Sequence, residues 1–208
     1  MRIYSTFFYF LLSMTIMSEG VSQELSTIPA EKHIENLKSG VLLIKLNTQS
    51  RRINARIKAG KIEKAEKLRK EVEKEHKEIM AAFEKHYEFS DYYFFYSDDS
   101  DAVLMDKDYS LLFTSADRKI VIPVEFAENS RYLLMLGLHP GFPSADKYHL
   151  LLSHLSDKGR RKLPRSMPRS FHTRSSKLFC NNYDFDKAIR RINERLQKVD
   201  IFYRDIQK

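Results

Sequence analysis

The chain is short of cysteine, glycine and long hydrophobic runs, and each shortage removes a class of chemistry. There is one cysteine, Cys180, in 208 residues. A single thiol forms no intramolecular disulfide, and it supplies neither a redox cysteine pair nor a cysteine-rich zinc site. Buried and inert is the expected state of such a thiol. With six glycines in all, there is no P-loop, no Gly-x-Gly-x-x-Gly turn and no Gly-x-Ser-x-Gly nucleophile elbow. The seven histidines form no i,i+4 pair with an acidic base, so neither a metal site nor a cofactor is expected.

The run from Phe7 to Ile16 is ten residues long, too short for a comfortable transmembrane span. Arg2 precedes it, and Ser18-Glu19-Gly20-Val21-Ser22-Gln23 follows with small residues. Positive start, apolar run and small-residue stretch are the order of a secretory signal. The expectation is a signal peptide over residues 1–22, cleaved ahead of Gln23, and an exported protein, periplasmic or secreted. No cysteine follows the run, so no lipid attachment site is expected. Residues 23–39 read as a polar N-terminal lead-in with a short helix from Ala30 to Leu37, and residues 40–208 as a single α/β domain.

What is abundant is charge. Hydrophobic residues make up 42% of the chain and aromatic residues 12%, enough for a packed core in a chain of this length. The formal net charge of +8 favours anionic partners. From Gln49 to Tyr87, Ile53, Ile57, Ala65, Leu68, Val72, Ile79 and Phe83 recur at helical spacing in a field of Lys, Arg and Glu. Ala59-Gly60-Lys61 interrupts the run, since glycine is costly inside a helix. The reading is a helix to about Lys58, a tight turn, and a second helix from Ile62 to about Tyr87. Thr48 or Ser50 is the expected N-cap. Glu63 with Lys67, Glu66 with Lys70, and Glu73 with Lys77 are spaced for ion pairs on a solvated face.

Strand-like runs flank this hairpin, Val41 to Leu46 before it and Tyr92 to Tyr96 after it. Strand, helix, strand is the grammar of an α/β unit. Ile120 to Val124 is strand-like, and Pro123 within it argues for an edge position. Tyr132 to Leu138 is ambiguous between strand and helix, and Tyr148 to Leu152 is a further strand. Asp184 caps a final helix with the stripe Phe185, Ile189, Ile192 and Leu196. The expected fold is α/β, with a single central mixed β-sheet, a long helical hairpin crossover and a C-terminal helix. That order is similar to a thioredoxin-like arrangement, but without a cysteine where the first strand meets its helix.

Ala102-Val103-Leu104-Met105-Asp106-Lys107-Asp108-Tyr109-Ser110 resembles the first motif of haloacid-dehalogenase-like phosphatases. The resemblance implies an apolar strand that delivers Asp106 as nucleophile, with Asp108 as acid/base beside Mg²⁺. Tyr109 and Ser110 stand where that family has Gly and Thr, and no Asp-Asp pair follows. The same residues read as a β-hairpin whose turn is Asp106-Lys107-Asp108, and that reading is preferred. Asp98, Asp99 and Asp101 lack the spacing of a calcium loop and read as a solvated loop.

Between Lys158 and Tyr183 there is no acidic residue. Lys158, Arg160, Arg161, Lys162, Arg165 and Arg169 are the candidate anion-binding residues of this segment. Export disfavours nucleic acid as the ligand and favours an anionic envelope component, glycan or lipid headgroup. For the segment taken alone, a basic loop that keeps an exported domain soluble is the preferred reading, and an envelope anion comes next.

Gly40 to Leu46, the Ala59-Gly60-Lys61 turn, Tyr92 to Asp98 and Lys187 to Asn193 together resemble an uncharacterised family of small exported bacterial α/β proteins. The resemblance covers most of the chain beyond residue 22 and implies a fold and an export route, with no activity attached. Pro164-Arg165-Ser166-Met167-Pro168-Arg169 departs from the more aromatic segment expected there. The combined expectation is a non-catalytic exported binding or structural module of the envelope, partnered by an anionic component or another envelope protein. The alternative is the Mg²⁺-dependent phosphatase.

Overall fold

A computed structural model describes residues 28–114, 119–120, 130–138, 148–156, 159–168, 170–172 and 184–206. The first strand, β1 (Val41–Leu46), is the axis of the molecule. Its residues are apolar on both faces and all buried except Lys45, as a strand with neighbours on both sides and layers above and below requires. On one side it pairs in parallel with β2 (Asp91–Tyr96), Val41 opposite Asp91 and Leu46 opposite Tyr96. On the other it pairs in parallel with β5 (Arg131–Leu138), Val41 opposite Arg131 and Lys45 opposite Met135.

Around this parallel core the sheet becomes antiparallel. Beyond β2 lie β3 (Phe113–Thr114) and, at the edge, β4 (Lys119–Ile120). Beyond β5 lies β6 (Tyr148–Ser156), which pairs in turn with β7 (Gly159–Arg161) and β8 (Ser170–His172). The eight strands form one mixed sheet in the order β4-β3-β2-β1-β5-β6-β7, with β8 also on β6. The ambiguous run at Tyr132 is thus a strand, and Ile120 does stand at the sheet edge. Val121 to Val124 lie outside the described residues, as do residues 1–27 and Cys180.

The crossover from β1 to β2 is the helical hairpin, α2 (Ser50–Lys58) and α3 (Ile62–His86). Gly60 turns it at φ 70°, left-handed backbone that glycine adopts without a Cβ clash. The final helix, α5 (Phe185–Ile206), is capped by Asp184, whose carboxylate accepts the Lys187 amide at 2.9 Å. The lead-in is no bystander. Its helix α1 (Ala30–Lys38) buries Ile34 and Leu37 in the main core, so the folded body begins before residue 40.

The pleat of β1 sorts the core into two. Leu42, Ile44 and Leu46 face α1, the C-terminal half of α3 and α5, where Phe83, Ile189, Ile192 and Leu196 are buried. Val41 and Leu43 face the opposite way, with Phe95, Leu133 and Leu155, under Val103 and Leu112. A third, smaller cluster of Ile53, Ala65, Leu68 and Val72 holds α2 to the N-terminal half of α3.

Three local expectations are corrected. The run Ala102 to Met105 is not a strand but part of a helical turn, α4 (Ser100–Leu104), and a 3₁₀ turn at Tyr109–Leu111 replaces the expected hairpin return. Val103 still buries its side chain, yet four consecutive small or apolar residues satisfy a helical turn as readily as a strand. Neither Thr48 nor Ser50 caps α2. Gln49 is its N-cap, in left-handed backbone at φ 51°, and no side chain bonds the first-turn amides. Within α3 the ion pairs that form are Glu66 with Arg69 and Lys74 with Glu78, not those anticipated at 63/67, 66/70 and 73/77.

Candidate functional site

The carboxyl ends of the three parallel strands point the same way, and the chain leaves β1 and β2 in loops that diverge over the sheet. Open α/β sheets bind ligands at this place, where the connections part and leave a crevice. Here the crevice has a volume of about 800 Å³, within the range of small-molecule sites. Lys45 comes to it from β1, Asn47 to Arg52 from the loop after β1 and the start of α2, Glu75 from α3, Ser97, Asp98, Ser100 and Asp101 from the turns after β2, and Met135 from β5.

One wall is locked by hydroxyl groups. Thr48 Oγ1 donates to Asp98 Oδ1 at 2.7 Å and Ser50 Oγ donates to Asp98 Oδ2 at 2.6 Å. Ser97 Oγ accepts the Thr48 amide at 3.0 Å. These bonds explain why the two hydroxyls fail as helix caps. They are spent tying the β1–α2 loop to the β2 end, and they hold the Asp98 carboxyl below the usual carboxylate range. The left-handed Gln49 sits between them, the kind of strained position that persists where its surroundings fix it. Behind the wall His76, buried, donates from Nε2 to the Asn47 carbonyl at 3.1 Å.

Two ionisable groups in the crevice stand in surroundings that disfavour their charge. Burial, with Arg160 nearby, pulls the Lys45 ammonium down from its ordinary value, against the attraction of Asp101. Burial, with Glu78 beside it, pushes the Glu75 carboxyl up to about 7. Among the described residues, Lys45 has no hydrogen-bond or ion-pair partner. Perturbed groups of this kind in a cleft mark functional positions.

The basic segment reaches this crevice from the side. Arg160, on β7, is exposed, and its Nη1 lies 2.6 Å from Sδ of Met135, a lining residue. Lys162 and Arg165 are exposed and Arg161 is half-buried, in and just past the same edge strand. Lys158 and Arg169 lie outside the described residues. Asp106 and Asp108 are elsewhere. Asp106 is exposed on the loop after α4, and Asp108 is taken up locally, its Oδ1 accepting the Ser110 amide at 3.1 Å and the Ser110 hydroxyl at 2.5 Å. No strand delivers Asp106, neither residue lines the crevice, and among the described residues no group of three or more His, Cys, Asp or Glu could hold a metal ion.

Lys45, Glu75 and the Asp98 network were not singled out in the sequence. Lys45 carried the one available signal, a lone charge inside an apolar strand. Comparison with known proteins finds no matching family, no similar curated protein and no similar solved structure. Among the described residues, no helix is long and apolar enough to cross a membrane.

Proposed function

We propose that this chain is a non-catalytic binding module of the bacterial cell envelope, exported by its N-terminal signal, and that it recognises anionic groups of an envelope component. The observation that carries the reading is the meeting of the basic segment with the crevice. Arg160 stands against the crevice residue Met135 and acts electrostatically on Lys45. Arg161, Lys162 and Arg165 extend the positive surface along the sheet edge beside it. Clustered cations raise the local concentration of polyanions and speed their capture, with a strength that falls as salt screens them.

The test is retention of the full-length mature protein on heparin and on phosphatidylglycerol vesicles. Retention that falls steeply between low and physiological salt, and is lost in a combined Arg161→Ala, Lys162→Ala, Arg165→Ala variant, supports the reading. Binding indifferent to salt, or unchanged in that variant, defeats it. Comparing the heparin and vesicle arms separates a glycan from a lipid headgroup as the source of the anion. No observation favours the phosphatase alternative, and Mg²⁺-dependent turnover that disappears in Asp106→Asn would be needed to revive it.

A further inference from the structure

We propose that the crevice at the ends of β1, β2 and β5 is a binding site for a small hydroxylated organic anion, a phosphate or carboxylate, whose charged group sits against the Lys45 ammonium. This deepens the reading above and rests on it, because it names what the crevice itself would hold.

The starting point is an imbalance. Lys45 is the one charged residue of the central strand, half-buried between strands whose remaining residues there are apolar. A cation withdrawn from water ordinarily has a counter-charge in contact with it. Lys45 has none within ion-pair distance among the described residues, and of the charges that act on it the cation Arg160 outweighs the carboxylate of Asp101. An anion placed at Lys45 would replace that repulsion with attraction. Arg160 lies close enough to add to it.

The other walls limit what the rest of the ligand is. Met135 is the one apolar residue of the lining, and the others are polar or charged, so a ligand that carries polar groups suits the crevice better than a bare hydrocarbon. Asp98 is occupied by the Thr48 and Ser50 hydroxyls and contributes a fixed wall. Asp101 and Glu75 remain as acceptors, and Glu75, held near half-ionised at neutral pH, also donates. Hydroxyl groups, which donate and accept, suit that lining better than a second anionic group.

Titration calorimetry on the full-length mature protein tests this with glycerol 3-phosphate, glucuronate, inorganic phosphate and uncharged glycerol. The two hydroxylated anions should bind in a one-to-one ratio, inorganic phosphate more weakly and glycerol not at all. Lys45→Met keeps the length and removes the charge, so it should weaken both hydroxylated anions at least tenfold. Arg160→Ala should weaken them several-fold, whereas Lys198→Ala, at an exposed cation of α5 outside both the crevice and the basic edge, should leave them unchanged. Matching circular dichroism and denaturation midpoints would show that Lys45→Met is folded; should it not fold, Lys45→Gln takes its place. The proposal is overturned if neither anion binds at millimolar concentration, or if binding is indifferent to the charge at residue 45. Heparin and vesicle retention separates the two claims. Retention without Lys45-dependent anion binding overturns the crevice ligand alone, whereas Lys45-dependent anion binding without retention leaves the ligand standing and overturns the envelope-surface reading.

Discussion

At the scale of single residues, the most demanding position is Gly40, just before β1. A Cβ there would lie 2.2 Å from the Ser130 carbonyl oxygen and 2.4 Å from that of Asn36. Both are backbone atoms, so a methyl group could enter only by moving α1 or the start of β5. Gly40→Ala should therefore cost about 2–3 kcal/mol, read from urea denaturation. At Gly60 nothing lies within 4 Å of a Cβ, and only the left-handed φ of 70° opposes substitution. Gly60→Ala should cost about 1 kcal/mol. Equal costs at the two positions would mean that the approach of the three backbones at Gly40 is not as tight as described.

Two titratable residues, His33 buried and Glu75 half-buried, pull stability in opposite directions with pH. His33 is fully buried against His154, and its Nδ1 lies 2.8 Å from the Tyr132 hydroxyl. Burial, then the nearby His154, pulls His33 down to about 4. An unfolded histidine takes up its proton near 6.5, so the folded state loses ground as pH falls from 6.5 to 4. Glu75, pushed up to about 7, does the reverse. The unfolded carboxyl ionises near 4.3 while the folded one resists, so stability is lost as pH rises through that interval. The two slopes partly cancel in the native protein. Glu75→Gln removes one of them. It should be more stable than the native protein by about 1–2 kcal/mol at pH 7.5, with the difference vanishing near pH 4.5. Denaturation at several pH values checks this, and a constant difference would refute it.

At the scale of elements, the terminal helix is fastened at specific points. Asp200 of α5 is buried and accepts from Lys38 Nζ of α1 at 2.7 Å and from Arg204 Nη2 at 2.5 Å. Asn193 Oδ1 accepts the Glu88 amide at 3.1 Å, tying α5 to the loop between α3 and β2. Asp200→Ala frees two cations that can turn to solvent, so the loss should be about 1–2 kcal/mol rather than that of a fully buried pair. In Asn193→Ala a backbone amide beside the core loses its acceptor, at a similar cost. The two sites lie on one helix but share no partner, so the double variant should be additive to within about 0.5 kcal/mol.

The elements legible in the sequence were those with long, one-sided patterns. The apolar run at Val41, the stripe from Ile53 to Phe83 broken at Gly60, and the Asp184 cap each carry a signal stronger than any competing reading. Legibility ended where segments were short or bonds were distant. Ala102 to Met105 is too brief to show a period. The roles of Thr48 and Ser50 depend on Asp98, some fifty residues later, which no local pattern reveals. The crevice was unreadable for the same reason, because its walls come from four separate stretches of chain.

At the scale of the whole molecule, the three core clusters predict where the protein opens first. The largest joins α1, β1, β2, β5, β6, α5 and the C-terminal half of α3, so those elements should unfold together. The cluster that holds α2 to the N-terminal half of α3 has four members, Ile53, Ala65, Leu68 and Val72. Four side chains bury too little apolar surface to match the global stability, yet this arm carries the start of α2, which forms one wall of the crevice. Hydrogen exchange should accordingly find the amides of residues 53–70 opening at a lower free energy than those of β1 or α5. Leu68→Ala, which removes about 2–3 kcal/mol of local packing, should speed exchange across that arm and leave β1 and α5 protected. A small hydroxylated anion bound in the crevice should slow exchange at the start of α2, because the ligand then contacts only the closed form. If Leu68→Ala instead speeds exchange uniformly, the hairpin is not a separate unit, and the crevice wall is as rigid as the sheet that bears it.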